Sequence, residues 1–345
     1  MRDRTAPLPL APVARALEAR KASAFLVIGD PEPQAVADAL HNEVAVLRVQ
    51  EKALRVRVRL LDDELQRGGA MQRSLLPAAL PTLRGAEIHA LYRPAGALSG
   101  DLYDVVRLDE RRIAISLADA TGHGVAAAIL AAFVKRSLCG REAITDHAPH
   151  RNLGDVFARL NRQVLDAQLA ECQFVAALHA VYDESTRVIR WVRGGAPYPV
   201  LVRRHSPPRP LRSEGALLGI DADANFEIGE LQLQPGDTLI LYTDGLEEPL
   251  LREDDRLGYE NLHRSEWFRG LWGGSIPEHL SNLEGKLDGM ASGEHQRDDV
   301  TVIALHIHGE HGETAQPSDP PTLQHACLDR SRSEPQALVY TERRS

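Results

Sequence analysis

The chain has 345 residues, 43% hydrophobic and 26% charged, a balance ordinary for a soluble globular protein and enough for one large domain with accessories or for two. Its net charge of −9 argues against general affinity for nucleic acid. No run reaches the roughly 18 apolar residues of a membrane span, the N-terminal stretch lacks the apolar core of a secretory signal, and the cysteines Cys139, Cys172 and Cys327 are too scattered for a disulfide framework or a zinc site; a cytoplasmic protein with no membrane or nucleic-acid partner is expected.

Residues 1–36 form a Pro- and Ala-rich N-terminal segment. Across its end, ALEARKASAFLVIGDPEPQAVADAL resembles the last part of a bacterial receiver domain. Residues 37–76 then follow a heptad pattern. Val44, Val58 and Leu65 fall at a positions; Leu40, Leu47, Leu54, Leu61 and Leu75 fall at d positions. Glu51 and Gln72 interrupt the first series and Gly68 the second. A seam sustained over four or more heptads predicts a helical, coiled-coil-like linker and a homodimer; the alternative is one amphipathic helix folded on its own domain. Each glycine of Gly68-Gly69 weakens a helix interior by roughly 1 kcal/mol, which predicts a mobile joint there.

The bulk of the chain, residues 77–308, reads as short strands: AEIHALYRP, DLYDVVRL, RRIAISLA, FVAALHAVYD, RVIRWVRGG, YPVLVRR, FEIGELQL, DTLILYT and DVTVIALHI. Two helical stretches, GVAAAILAAFVKRSL and NLGDVFARLNRQVLDAQL, lie between some of them. Strands arriving mostly in consecutive hairpins predict an α+β fold with antiparallel sheets. Residues 309–345 are polar, carry Pro and Ser, and read as a disordered tail.

Carboxylates at strand ends carry the chemistry. Asp101 opens one strand, Asp109-Glu110-Arg111 makes the turn, and the return strand from Arg112 runs to Asp119. Pairing Leu108 with Arg112 sets Asp101 opposite Asp119, an arrangement in which like charges are destabilising. A second strand runs into Asp244 in YTDG, and a third begins at Asp298-Asp299; as antiparallel neighbours, these would also bring their acids to one sheet edge. Two unit charges 4 Å apart repel by ~4 kcal/mol at an effective dielectric of 20, so the cluster needs either shared protons or cations. An all-oxygen donor set suits Mg²⁺, Mn²⁺ or Ca²⁺ and disfavours zinc. For each aspartate alone, ordinary Asp-Gly turn chemistry is the competing account.

Seven segments in order, MQRSLLPAALP, YRPAGALSGDLYDV, SLADATGHGVAAAIL, FVAALHAVYD, RGGAPYPVLVR, LQPGDTLILYTDGLEE and RDDVTVIAL, resemble the SpoIIE/RsbU-type serine/threonine phosphatases, the bacterial branch of the metal-dependent type-2C protein phosphatases. The resemblance spans about residues 70–308. It implies a four-layer α-β-β-α sandwich of two antiparallel sheets with a centre for two divalent cations, Mn²⁺ or Mg²⁺, at one edge. Asp119 would bridge the ions, Asp101 and the carbonyl of Ala120 would hold one, and Asp244 and Asp298 the other. Asp299 competes with Asp298, since each shares a strand face with a later core residue. Asp104 points away from Asp101 and would serve a supporting role. His123 would protonate the leaving oxygen or simply hold turn geometry, and Arg93 is a candidate phosphate contact. The usual GGD is SGD here, and Ala196 stands where a histidine is common.

The implied activity is hydrolysis of phosphoserine or phosphothreonine by metal-activated water, with no covalent intermediate. The implied substrate is a phosphorylated signalling protein of the STAS-type anti-anti-sigma class. Two alternatives are a signalling scaffold acting through its coiled coil and a phosphohydrolase for small molecules. His306, His308 and His311 gather where the last strand meets the tail, as a solvated strand end or a transition-metal trap.

Overall fold

The computed structural model describes residues 33–122, 124–139, 153–167, 173–253, 258–272, 274–291 and 298–309. His123, His311, Cys172, Cys327, most of the N-terminal segment and nearly all of the tail lie outside them.

Two five-stranded antiparallel sheets stack face to face. The first contains β2 (Asp101–Arg107), β3 (Arg112–Ala120), β4 (Val175–Asp183), β5 (Val188–Gly194) and β8 (Ile228–Gln232), in that spatial order. The second is ordered β1 (Ala86–Arg93), β10 (Val300–Ile307), β9 (Thr238–Tyr242), β6 (Val200–Val202) and β7 (Arg209–Pro210). Strand alternation explains the layering, because successive side chains point to opposite faces. On β3, Ile113, Ile115 and Leu117 enter the core between the sheets, while Ala118 and Ala120 join a core on the outer face.

That outer core is closed by α2 (Val125–Cys139) and α3 (Leu153–Asp166). On α3, Val156, Phe157, Leu160 and Val164 recur at helical spacing and are buried. Over the second sheet lie α4 (Glu247–Glu253), α5 (Glu266–Gly270) and α6 (Ile276–Ala291), whose Leu250, Phe268 and Leu283 pack on Ile240, Val302 and Ala304. The result is the expected four-layer α+β sandwich. The pairing of Asp101 with Asp119 is also as expected, and β9 and β10 are antiparallel neighbours.

The linker forms one helix, α1 (Pro33–Arg73). Its seam residues from Leu40 to Leu65 are 40–63% exposed, and nothing among the described residues covers them. The expected joint at Gly68-Gly69 differs from what is found: both residues lie inside the helix. A side chain at Gly69 would sit 1.9 Å from the carbonyl oxygen of Ala97. Close packing against the loop before Asp101, rather than a hinge, is what glycine permits here. Among the described residues, no helix is long and apolar enough to cross a membrane.

Candidate metal-dependent active site

The acids converge where the two sheets meet at one end of the sandwich. Asp101, at the start of β2, is 1% exposed, and its cross-strand partner is Asp119. From the other sheet, Thr243 closes β9 and Thr301 lies early in β10. Both hydroxyls donate to Oδ2 of Asp101, at 2.7 and 2.6 Å, and the Thr301 N–H donates to the Thr243 hydroxyl at 2.9 Å. A short polar chain thus stitches the two sheets together through one carboxylate.

Asp298 and Asp299 separate by function. The side-chain oxygens of Asp299 accept the N–H groups of Ala95 and Gly100, each at 2.7 Å, so this residue clamps the loop that delivers Asp101. Asp298 stands at the mouth of the cluster, where Asp244 acts on it. A side chain at Gly245 would lie 1.9 Å from the Asp299 carbonyl oxygen, so only glycine lets the turn after Asp244 press against this segment.

The electrostatics are those of crowded acids. Burial, then Asp119, holds the Asp101 carboxyl well above the usual range, against the pull of the Thr301 and Thr243 hydroxyls. Burial, Asp244 and Asp298 push Asp119 up to about 8, and Asp119 shares a hydrogen bond with Asp244. Burial and Asp244 also raise Asp298. Glu247, one turn beyond Asp244, is lifted to about 7 by burial and by Asp244. Desolvation and like charge act together, which is how one end of a fold comes to favour either protons or bound cations.

Among the described residues, no three acid, imidazole or thiol side chains are placed close enough together to hold a metal ion. Asp101 is turned onto its two threonines through Oδ2, and neither hydroxyl engages Oδ1. The donor chemistry nevertheless fits hard divalent ions: the groups are oxygens, Asp101 is deeply buried, and Ala120, whose N–H bonds the Gly100 carbonyl at 3.1 Å, sits beside it.

Other candidates fall elsewhere. Asp104 faces α2, where it pairs with Lys135 at 2.9 Å. Lys135 also donates to the carbonyl of Leu75, just beyond the linker helix. Arg93 ends β1 near the acids but pairs with Asp288 on α6. His306 lies at the opposite end of β10, bonded to Thr238 at 2.9 Å, with His308 beside it.

Sequence reasoning missed Thr243, Thr301 and Gln72. The first two sit one residue before Asp244 and two after Asp299, and strand parity could have aimed Thr301 at Asp101. Gln72 interrupts the heptad because its amide is used otherwise. It donates to the Ser99 carbonyl at 2.6 Å and accepts the Ser99 N–H at 2.9 Å, and it is 6% exposed.

Comparison with known proteins bears on the family and the fold. Residues 109–308 match the family model described as Stage II sporulation protein E (SpoIIE). The chain belongs to the SpoIIE family. Among curated relatives of this SpoIIE-family chain, Protein IcfG of Synechocystis is 27% identical over 70% of the chain and 41% of its own length. Phosphoserine phosphatase RsbU of Bacillus subtilis is 25% identical over 54% of each. The chain therefore spans about half the length of these relatives. The SiaA-PP2C domain of Pseudomonas aeruginosa superposes with a TM-score of 0.57 at 20% identity, covering 72% of this chain and 97% of that one, a likeness of fold.

Proposed function

We propose that this chain is a metal-dependent serine/threonine protein phosphatase. The observation that carries the reading is the meeting of Asp101, Asp119, Asp244 and Asp298 at one end of the sandwich, with Asp101 buried, Asp119 half-buried and neither in an ion pair among the described residues. Asp101 and the Ala120 carbonyl would hold one divalent cation, Asp244 and Asp298 a second, and Asp119 both. When bound, Mn²⁺ or Mg²⁺ would supply Lewis acidity toward phosphoryl oxygens and bring the pKa of water toward neutrality.

The chain's own residues prepare that chemistry. Thr243 and Thr301 fix the orientation of Asp101, and Asp299 fixes the loop that carries it. The mouth at Asp244 and Asp298 is exposed, which suits a phosphorylated side chain on a protein surface better than an enclosed small molecule. His123 is assigned to the leaving oxygen, because an imidazole titrates near neutral pH. A relative named phosphoserine phosphatase supports phosphoserine as a substrate class. The resemblance points to a STAS-type anti-anti-sigma partner. The catalytic domain is assigned to 77–308.

The test is phosphate release from a phosphoserine protein and from p-nitrophenyl phosphate. Turnover should require Mn²⁺ or Mg²⁺ and disappear in Asp119→Asn; metal-independent turnover, or an unimpaired variant, overturns the reading.

We further assign 37–76 as a dimerising linker that acts on this site. Its apolar seam is uncovered, and its end reaches the Asp101 loop through Gln72 and Ser99. A chain beginning at Leu75 should be monomeric with altered activity; a monomer with full-length activity would refute the linker's role.

A further inference from the structure

A second charged feature lies away from the acids. β6 pairs with β9 so that Val202 faces Thr238, the end of β9 opposite Thr243. Five residues of strand put about 17 Å between the two ends. Here β6, β7 and the 3-10 turn Tyr259–Arg264 line a half-open cavity of about 500 Å³. Leu201 and Pro208 are buried in its wall, and Arg203, Arg209, His263 and Arg264 bring cationic or basic groups to it.

The charges in this cavity are not balanced. Arg203 is consumed by Asp237, which takes both arms of the guanidinium at 2.8 and 2.7 Å. Arg209 and Arg264 are exposed and have no carboxylate partner among the described residues. Burial holds His263 below the ordinary imidazole range, and Arg264 and Arg212 press it the same way. In a chain of net charge −9, this is a local concentration of positive groups. The prolines of the wall offer no N–H donor, so side chains must supply the recognition. Two guanidinium forks suit a phosphate dianion better than a single carboxylate. The volume lies in the range of small-ligand sites, and Leu201 with Pro208 provides an apolar surface beside the charges.

We propose that this cavity binds a small organic phosphate, its dianion held by Arg209 and Arg264 and its apolar portion against Leu201 and Pro208. The site is independent of the phosphatase reading, because none of its residues reaches the acid cluster. A ligand here would relieve the mutual repulsion of the cations, and His263 would report it.

The test uses the full chain with ¹³Cε1-labelled histidine, the His263 resonance being assigned by its loss in His263→Gln. The probes are inorganic phosphate, phenylphosphonate (whose C–P bond resists hydrolysis) and a hexaglutamate peptide. Phenylphosphonate should shift the His263 signal saturably, bind more tightly than inorganic phosphate, and raise the pH midpoint of His263 in the field of Arg203, Arg209, Arg212 and Arg264. Arg209→Gln and Arg264→Gln should each weaken it about tenfold while leaving the rest of the spectrum in place. An unmoved signal, equal binding of the two phosphorus probes, unchanged affinity in both variants, or a response to hexaglutamate alone would each overturn the proposal, the last in favour of an acidic protein surface.

Discussion

Asp101 and Asp237 are equally buried, each 1% exposed, at opposite ends of the same sandwich. Asp237 receives a bidentate guanidinium from Arg203 and the N–H of Gln234 at 2.8 Å. Asp101 receives two neutral hydroxyls and faces Asp119. Burial of a carboxylate is costly unless its charge is answered. The protein itself answers that charge at one end and not at the other. The difference separates an aspartate that holds the fold from one kept for a cation supplied from outside.

Substitutions at the two ends test that contrast. The largest effect is expected from Arg203→Ala, which strands the buried Asp237 and should cost about 3–5 kcal/mol in denaturant unfolding. Asp101→Asn, by contrast, should leave the metal-free protein as stable or more so, since it removes a charge that nothing offsets. Equal destabilisation by both would erase the distinction. Next, Thr301→Val should lower metal-dependent turnover by roughly 10- to 100-fold, the usual scale for a group that orients a ligand. Apparent metal affinity should fall with it, which a purely structural loss would not produce.

A smaller effect concerns pH. Asp119 binds its proton up to about pH 8 in the folded chain, against 3.8 for an ordinary aspartate. Between those values the folded state holds more protons than the unfolded one, so stability falls as pH rises through that window. Thermal unfolding without metal should therefore shift downward from pH 5 to pH 8. Added Mn²⁺ should raise the midpoint more at pH 8, where it competes with fewer protons. A metal-free midpoint that climbs over this range would mean the acids are paired in some other way.

Much of this was legible in the chain. Short alternating or apolar runs gave nine of the ten strands, because sheets covered on both faces write apolar stretches bounded by turn residues into the sequence. The turn at Asp109 fixed the register that sets Asp101 against Asp119. β7 has two residues and carries no periodicity to read. Helices α4 and α5 are seven and five residues long, too short for an amphipathic repeat, and they owe their place to Leu250 and Phe268 packing on the second sheet. Parity could not separate Asp298 from Asp299, because the distinction rests on the N–H groups of Ala95 and Gly100, some 200 positions away in the chain. Gln72 read as a flaw in a heptad because the pattern describes the partner-facing seam, whereas its amide is spent on Ser99.

The pairing of β1 with β10 has a consequence for biosynthesis. Ala86 lies against Ile307, so the opening strand of the sandwich waits for its closing neighbour. Bringing such distant ends together costs about 5 kcal/mol of chain entropy. Thr301 and Asp298 arrive with that last strand. A ribosome-bound intermediate that has exposed Asp101, Asp119 and Asp244 still lacks the hydroxyl and the carboxylate that complete the cluster, so the cluster is whole only once synthesis has passed the final strand.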